Sequence, residues 1–279
     1  MKVITNEIIK NFENYLYEEE KSDNTIEKYM RDIRFFREWL GVKELDKSVV
    51  LTYKKELCGK YMPASVNSIL SSLNALFMFM NWYDLKVKTL KIQRRIFADK
   101  DKELTKAEYE RLLLAARRKG NRKLFLLMQT ICSTGIRVSE LRFVTLSAVK
   151  CGQADIDCKG KTRIVIIPEA LCNILRKYAK EQKITSGSIF VSKNGKPLDR
   201  SNIWKLMKSL CEDAGVSKEK VFPHNLRHLF ARTYYSIEKD IARLADILGH
   251  SSIETTRIYI MENSDIHRKQ IQKLGLLRC

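Results

Sequence analysis

The sequence predicts a mainly α-helical protein with a small antiparallel β-sheet, divided into two domains joined by a basic linker. Three observations predict this. Apolar residues recur at helical spacing through residues 1–83 and again through most of 103–279. Period-two alternation is confined to residues 153–168, on either side of the turn Lys159-Gly160-Lys161-Thr162. Residues 84–102 show no stripe, and seven of them are Lys or Arg.

In the first domain, Ile4, Ile8, Phe12, Tyr15 and Leu16 share one helical face. A second helix is expected with Asn24 as N-cap, Glu27 three residues on, and Gly41 as its stop. A shorter helix around 46–58 follows, and Pro63 opens another whose stripe runs from Val66 through Leu73 to Met80. The basic residues Lys28, Arg31, Arg34, Lys54 and Lys55 on these helices read as a solvated face. The segment 84–102 reads as an extended basic linker.

The second domain starts at Thr105, whose capping box with Glu108 precedes an apolar helix. A second apolar helix, KLFLLMQTICS, ends at Gly135, and another helix is expected to follow. In the hairpin, Ile156 and Cys158, then Ile164 and Ile166, form the alternating apolar sets. The remainder is mostly helical, with a Lys-Asn-Gly-Lys turn at 193–196.

Composition narrows the function classes. The 44% hydrophobic content suffices for a core, and no stretch is apolar over 18 residues, so no membrane span is expected. The N-terminal residues lack an apolar signal-peptide core, which leads us to expect a cytoplasmic protein. The seven cysteines, at 58, 132, 151, 158, 172, 211 and 279, include no CxxC pair, so neither a disulfide framework nor a zinc site is expected. Net charge is +19 and uneven: residues 1–102 hold 19 basic and 15 acidic side chains, and residues 103–279 hold 33 and 18. Such an excess implies a polyanionic partner, nucleic acid first among them.

Four segments hold the residues that chemistry would use. Arg137 lies in TGIRVSEL, followed by Glu140. Lys159 lies at the hairpin turn, with Asp155 and Asp157 before it. In PHNLRH, Pro223 starts a helix that places His224 and Arg227 on one face. His224 and His228 have the i, i+4 spacing of a zinc-binding pair, but Asn225 stands where the base would be and no third ligand is indicated, so no metal or cofactor is expected. In LGHSSIETTRIY, Gly249 closes a helix, His250 stands at the junction, and Ser251 with Glu254 forms a capping box for the next. On that last helix Ser252, Thr255, Thr256 and Tyr259 share a polar side, with Ile253 and Ile260 elsewhere. Taken alone, Arg137 reads as a salt-bridge partner, Lys159 as a solvated lysine, and Tyr259 equally well as a core residue.

As a set they suit phosphodiester cleavage. Two guanidinium groups can each donate paired N–H bonds to non-bridging oxygens. A free phenol has a pKa near ~10 and is poorly ionised at neutral pH, so a histidine base or cationic neighbours would assist it. A lysine on a turn can protonate the leaving oxygen.

At these residues the chain resembles the tyrosine recombinases, the phage integrase family, with a layout nearest the two-domain Xer-type enzymes and mobile-element integrases. TGIRVSEL, HNLRH and LGHSSIETTRIY, in that order, carry the resemblance. It implies a helical core-binding domain over 1–83 and a catalytic domain over 103–279, closing as a C-shaped clamp on double-stranded DNA. It further implies that Arg137 and Arg227 clamp the phosphate, that His224 is an acid/base, and that His250 hydrogen-bonds the phosphate. Tyr259 would attack to give a 3′-phosphotyrosine. Lys159 matches the general acid, although the turn is one residue shorter than the family pattern, which leaves Lys161 as a rival. The resemblance also implies four protomers acting on two duplexes through a Holliday junction. Residues 264–279, whose apolar set is Ile266, Ile271, Leu274 and Leu276, would either dock on a neighbouring protomer or pack on their own domain. A type IB topoisomerase-like relaxing enzyme and a non-catalytic DNA-binding relative are the alternative readings.

Overall fold

The computed structural model describes residues 2–92, 102–158, 161–192, 194–260 and 272–273. Two compact units result, Met1–Arg94 and Arg95–Cys279. Lys159 and most of the C-terminal segment 264–279 lie outside the described residues.

The first unit is built from α1 (Asn6–Glu18), α2 (Asp23–Leu40), α3 (Lys47–Lys60) and α4 (Pro63–Phe79). Each start has a local cause. Thr5 caps α1 through Ile8 N–H, Asp46 caps α3 through Val49 N–H at 2.8 Å, and Pro63 occupies the first turn of α4, where no N–H is needed. α2 starts earlier than its sequence suggests. Ser22, not Asn24, is its N-cap residue, and its hydroxyl meets Thr25 Oγ1 at 2.9 Å. Phe12, Ile33, Phe36, Leu73 and Phe77 are fully enclosed, which removes roughly 1.5–3 kcal/mol of apolar surface from water per side chain. One buried carboxylate, Asp32, accepts from Lys28 (2.9 Å) and Ser72 (2.8 Å).

The first stretch of the basic segment is held rather than free. Leu85 and Val87 are buried, Asn74 brackets Val87 with two side-chain bonds, and Asn67 does the same for Leu90. These amides satisfy backbone groups that have no ladder partner.

The second unit begins with α5 (Lys106–Arg118), which carries the expected Thr105–Glu108 capping box, and α6 (Arg122–Thr134). Gly135 then takes a left-handed conformation, φ +64°. The TGIR segment leads into the expected helix, which is of the 3-10 type, Val138–Phe143. After α7 (Leu146–Cys151) come β1 (Gln153–Cys158) and β2 (Lys161–Ile166), paired antiparallel with Ile156 opposite Arg163 and Cys158 opposite Lys161. Strand pairing thus runs through Lys161 and Thr162, which the sequence reading had assigned to the turn. The parity of β2 is also reversed. Ile164 and Ile166 face solvent, the latter 76% exposed, while Val165 and Ile167 are buried. The inward set of the hairpin is Ala154, Ile156, Arg163 and Val165, so an arginine occupies what should be an apolar position.

The chain continues with α8 (Glu169–Glu181), α9 (Arg200–Lys208), α10 (Cys211–Ala214), α11 (Pro223–Glu238), α12 (Ile241–Leu248) and α13 (Ile253–Ile260). α11 packs on α6 and carries α12 and α13 on its flank. Its first turn is tied down by buried Asn225, which donates to Lys102 O (2.7 Å) and Lys220 O (2.8 Å).

Gly135 sits where α6 meets α11. A Cβ there would lie 2.5 Å from the Phe230 ring. Gly135→Ala combines a left-handed penalty with overpacking and is expected to lower stability by about 2 kcal/mol or more, measured by urea unfolding. An unchanged midpoint would show that Phe230 yields freely.

Candidate active site

Arg227 is the largest fully enclosed side chain among the described residues, 1% exposed. Its position on α11 is fixed by helix ends. Nη1 donates to Gly135 O at the close of α6, and Nη2 donates to Leu248 O at the close of α12, 2.7 Å. These are terminal carbonyls with no intrahelical partner, and the negative end of each helix dipole favours a cation. Burial and the Arg137 charge lower the Arg227 pKa to about 10, a fall opposed by interaction with Tyr259. The group is still a cation at neutral pH. Its Nε is buried and finds no hydrogen-bond partner among the described residues.

His250 follows from Arg227. Nη2 lies 3.0 Å from His250 Nε2, and a guanidinium can only donate, so Nε2 must accept. The ring proton then sits on Nδ1 and donates to Thr256 Oγ1, 2.8 Å away. Burial, followed by the Arg227 and Arg137 charges, depresses the His250 pKa to about 4, which favours this neutral form.

Arg137 approaches from the 3-10 turn. Its Nη1 donates to Glu140 Oε1 (2.8 Å) and its Nη2 reaches Gly249 O (3.3 Å). Glu140, 3% exposed, also accepts from Arg137 N–H (2.9 Å) and from Arg163 Nη2 (2.6 Å). Its carboxyl pKa is lowered: burial opposes ionisation, but the Arg137 hydrogen bonds and the Arg163 charge outweigh it. The salt bridge read from sequence is present, and Glu140 holds two arginines.

Tyr259 is 4% exposed. Only half of the polar set expected on α13 turns inward: Thr256 and Tyr259 are buried, whereas Ser252 and Thr255, like Ile253 and Ile258, are exposed. Ser252, not Ser251, caps this helix, through Glu254 N–H. The Tyr259 ring stacks on His250 (centroids 5.5 Å, 13°) and meets His228 edge to face (4.4 Å, 76°). His224 lies 5.9 Å from Tyr259 and 4.5 Å from His228. Burial first, then His224 and Arg227, pushes the His228 pKa down to about 3. His224 is also lowered, by desolvation and by Arg227, Arg200 and Arg137.

A cleft of about 620 Å³ opens beside these groups, walled by Arg137, Arg200, Lys205, His224, Arg227 and Trp204. None of the described residues lining it is acidic. Arg137, His224, Arg227, His250 and Tyr259, singled out in the sequence, therefore cluster within the second unit. Lys159 falls outside the described residues, and Lys161 opens β2. Sequence reading missed Arg163, Arg200 and Lys205. Arg163 had one usable signal: an arginine amid the apolar residues of RIVIIP.

His228 and His250, whose pKa values fall furthest, make stability pH-dependent. The fold holds both neutral, while an unfolded imidazole binds a proton at the ordinary value of 6.5. Stability is therefore expected to fall as pH drops from about 6.5 towards 4. In His228→Phe the slope of stability against pH in this window should lessen by about 1.4 kcal/mol per pH unit, followed by urea unfolding. Superimposable slopes would mean His228 is protonated in the fold.

Comparison with known proteins places these features. Residues 102–265 match the model of the phage integrase family, and residues 9–83 match the phage integrase N-terminal SAM-like domain. Tyrosine recombinase XerA of Thermococcus kodakarensis is 32% identical over 98% of this chain and 96% of its own length. Tyrosine recombinase XerD of Oceanobacillus iheyensis is 28% identical over 85% of this chain and 87% of its own. Among solved structures, a lambda integrase dimer bound to a core site shares the fold at TM-score 0.75 with 20% identity, over 93% of this chain and 96% of that one. A family match over more than half the chain, together with full-length relatives, makes this protein a member of the phage integrase family of tyrosine recombinases.

Proposed function

We propose that this chain cleaves and rejoins double-stranded DNA at a specific site, with Tyr259 as nucleophile and a 3′-phosphotyrosine intermediate. The observation that carries the reading is the acid-free cleft walled by Arg137, His224 and Arg227, with Arg227 also in contact with His250 and Tyr259 beside them.

In this reading the phenolic oxygen attacks phosphorus, the 3′-oxygen stays on phosphorus, and the 5′-oxygen leaves. Arg137 and Arg227 stabilise the charge that builds on the non-bridging oxygens. His224 accepts or returns a proton at the rim, and Lys159, or its rival Lys161, protonates the leaving 5′-oxygen. His250, kept neutral by burial and then by the Arg227 and Arg137 charges, contacts the phosphate once the anion offsets those charges. The phosphotyrosine retains the ester's energy, so attack by a 5′-hydroxyl of the second duplex rejoins the strand. Four protomers on two duplexes, passing through a Holliday junction, complete the exchange. A structure of a lambda integrase tetramer bound to a Holliday junction supports the assembly by its fold.

The test is a nicked suicide duplex bearing the target, taken from DNA flanking the gene. Wild type is expected to form a covalent adduct and Tyr259→Phe none, with DNA binding retained. An adduct in Tyr259→Phe would overturn the assignment. Arg137→Lys keeps the charge but loses the paired donors, and its cleavage rate is expected to drop roughly 100-fold. A two-site plasmid distinguishes recombined products from simple relaxation, the outcome for a topoisomerase-like enzyme.

A further inference from the structure

Arg163 is a charged side chain on the inward face of a hairpin, and its contacts account for that. Nη2 donates to Glu140 Oε2 at 2.6 Å and Nη1 donates to Ile247 O at 2.7 Å. Its side chain is pressed against Gly249, where a Cβ would lie 2.2 Å from Arg163 Cδ. The same Glu140 holds Arg137 through Oε1, and the same Gly249 offers its carbonyl to Arg137 Nη2. One guanidinium therefore touches both supports of the Arg137 side chain. It also fixes the α12 terminus that precedes His250.

We propose that Arg163 is a positioning residue that sets the Arg137 guanidinium against the scissile phosphate, by fixing Glu140 and the backbone at Gly249. The inference rests on the phosphotyrosine reading. Arg163 itself need not touch DNA. Without its second cation, Glu140 would be drawn wholly to Arg137. The Arg137 fork would then turn inward to a buried carboxylate rather than outward to the cleft. Without the contact at Ile247, the end of α12 would lose the strut that places Gly249 O.

A neutral substrate separates this role from general structural damage. In a methylphosphonate diester a methyl group replaces one charged non-bridging oxygen, so there is less charge for Arg137 to stabilise. Arg163→Met is expected to cleave the ordinary phosphodiester roughly 10- to 100-fold more slowly than wild type, the range for losing a charge-assisted contact in the transition state. On the methylphosphonate substrate the gap to wild type should shrink to less than about threefold, since charge stabilisation no longer limits the rate. If Arg163→Met does not fold, Arg163→Lys carries the same comparison, because one ammonium cannot span Glu140 and Ile247 O together. Equal losses on both substrates, or no loss on either, would overturn the positioning role. A wild-type chain that forms no Tyr259-dependent adduct would instead overturn the underlying reading.

Discussion

The second unit depends on one buried cation held by peptide dipoles. Arg227 joins the end of α6, through Gly135 O, to the end of α12, through Leu248 O, and then orients His250. A bare buried charge would be very costly, and a carboxylate partner would be the usual remedy. Carbonyls serve differently. They satisfy the donors and stabilise the charge without cancelling it, so the guanidinium keeps its full field for an anion outside the protein. The local geometry follows from this: left-handed glycines end both helices, and each presents a carbonyl where an extra methyl group would clash.

The carboxylate that does appear is placed one step back. Glu140 faces Arg137 and Arg163 rather than Arg227, and it stays ionised because hydrogen bonds and charge outweigh its burial. The imidazoles complete the balance. His228 and His250 are held neutral by burial first and then by the charges around them, so they pack against the phenol as rings rather than as further charges. Arg137, Arg200, Lys205 and Arg227 face the cleft, and the Glu140 carboxylate stands behind Arg137.

Much of this was legible in the sequence, because its signals are local. The capping box at Thr105, Pro63, Pro223 and the stops at Gly41, Gly135 and Gly249 all act within one turn of chain, and each stands as read. The grouping of Arg137, Arg227, His250 and Tyr259 followed from residue chemistry and motif order. Features set by tertiary contact were not legible. The apolar run of β2 fits either parity, and the structure buries Val165 with Arg163 because Glu140 and Ile247 O await the guanidinium. α13 likewise turns Thr256 and Tyr259 inward but leaves Thr255 outside, because Thr256 meets an imidazole N–H that no neighbour in sequence reveals. Asn24 lost the cap of α2 to Ser22, a shift of two residues that local propensity cannot decide.

The hairpin's outward face has a separate consequence. Ile164 and Ile166 stand exposed on β2, across from the polar Asp155 and Gln153 of β1. A two-stranded ribbon has two open edges, and greasy branched side chains on one strand make such an edge sticky. Asp155 and Asp157 on the neighbouring strand act as gatekeepers, since any second ribbon that stacked here would have to strip water from two carboxylates. On this face the two aspartates therefore oppose self-association through the exposed isoleucines.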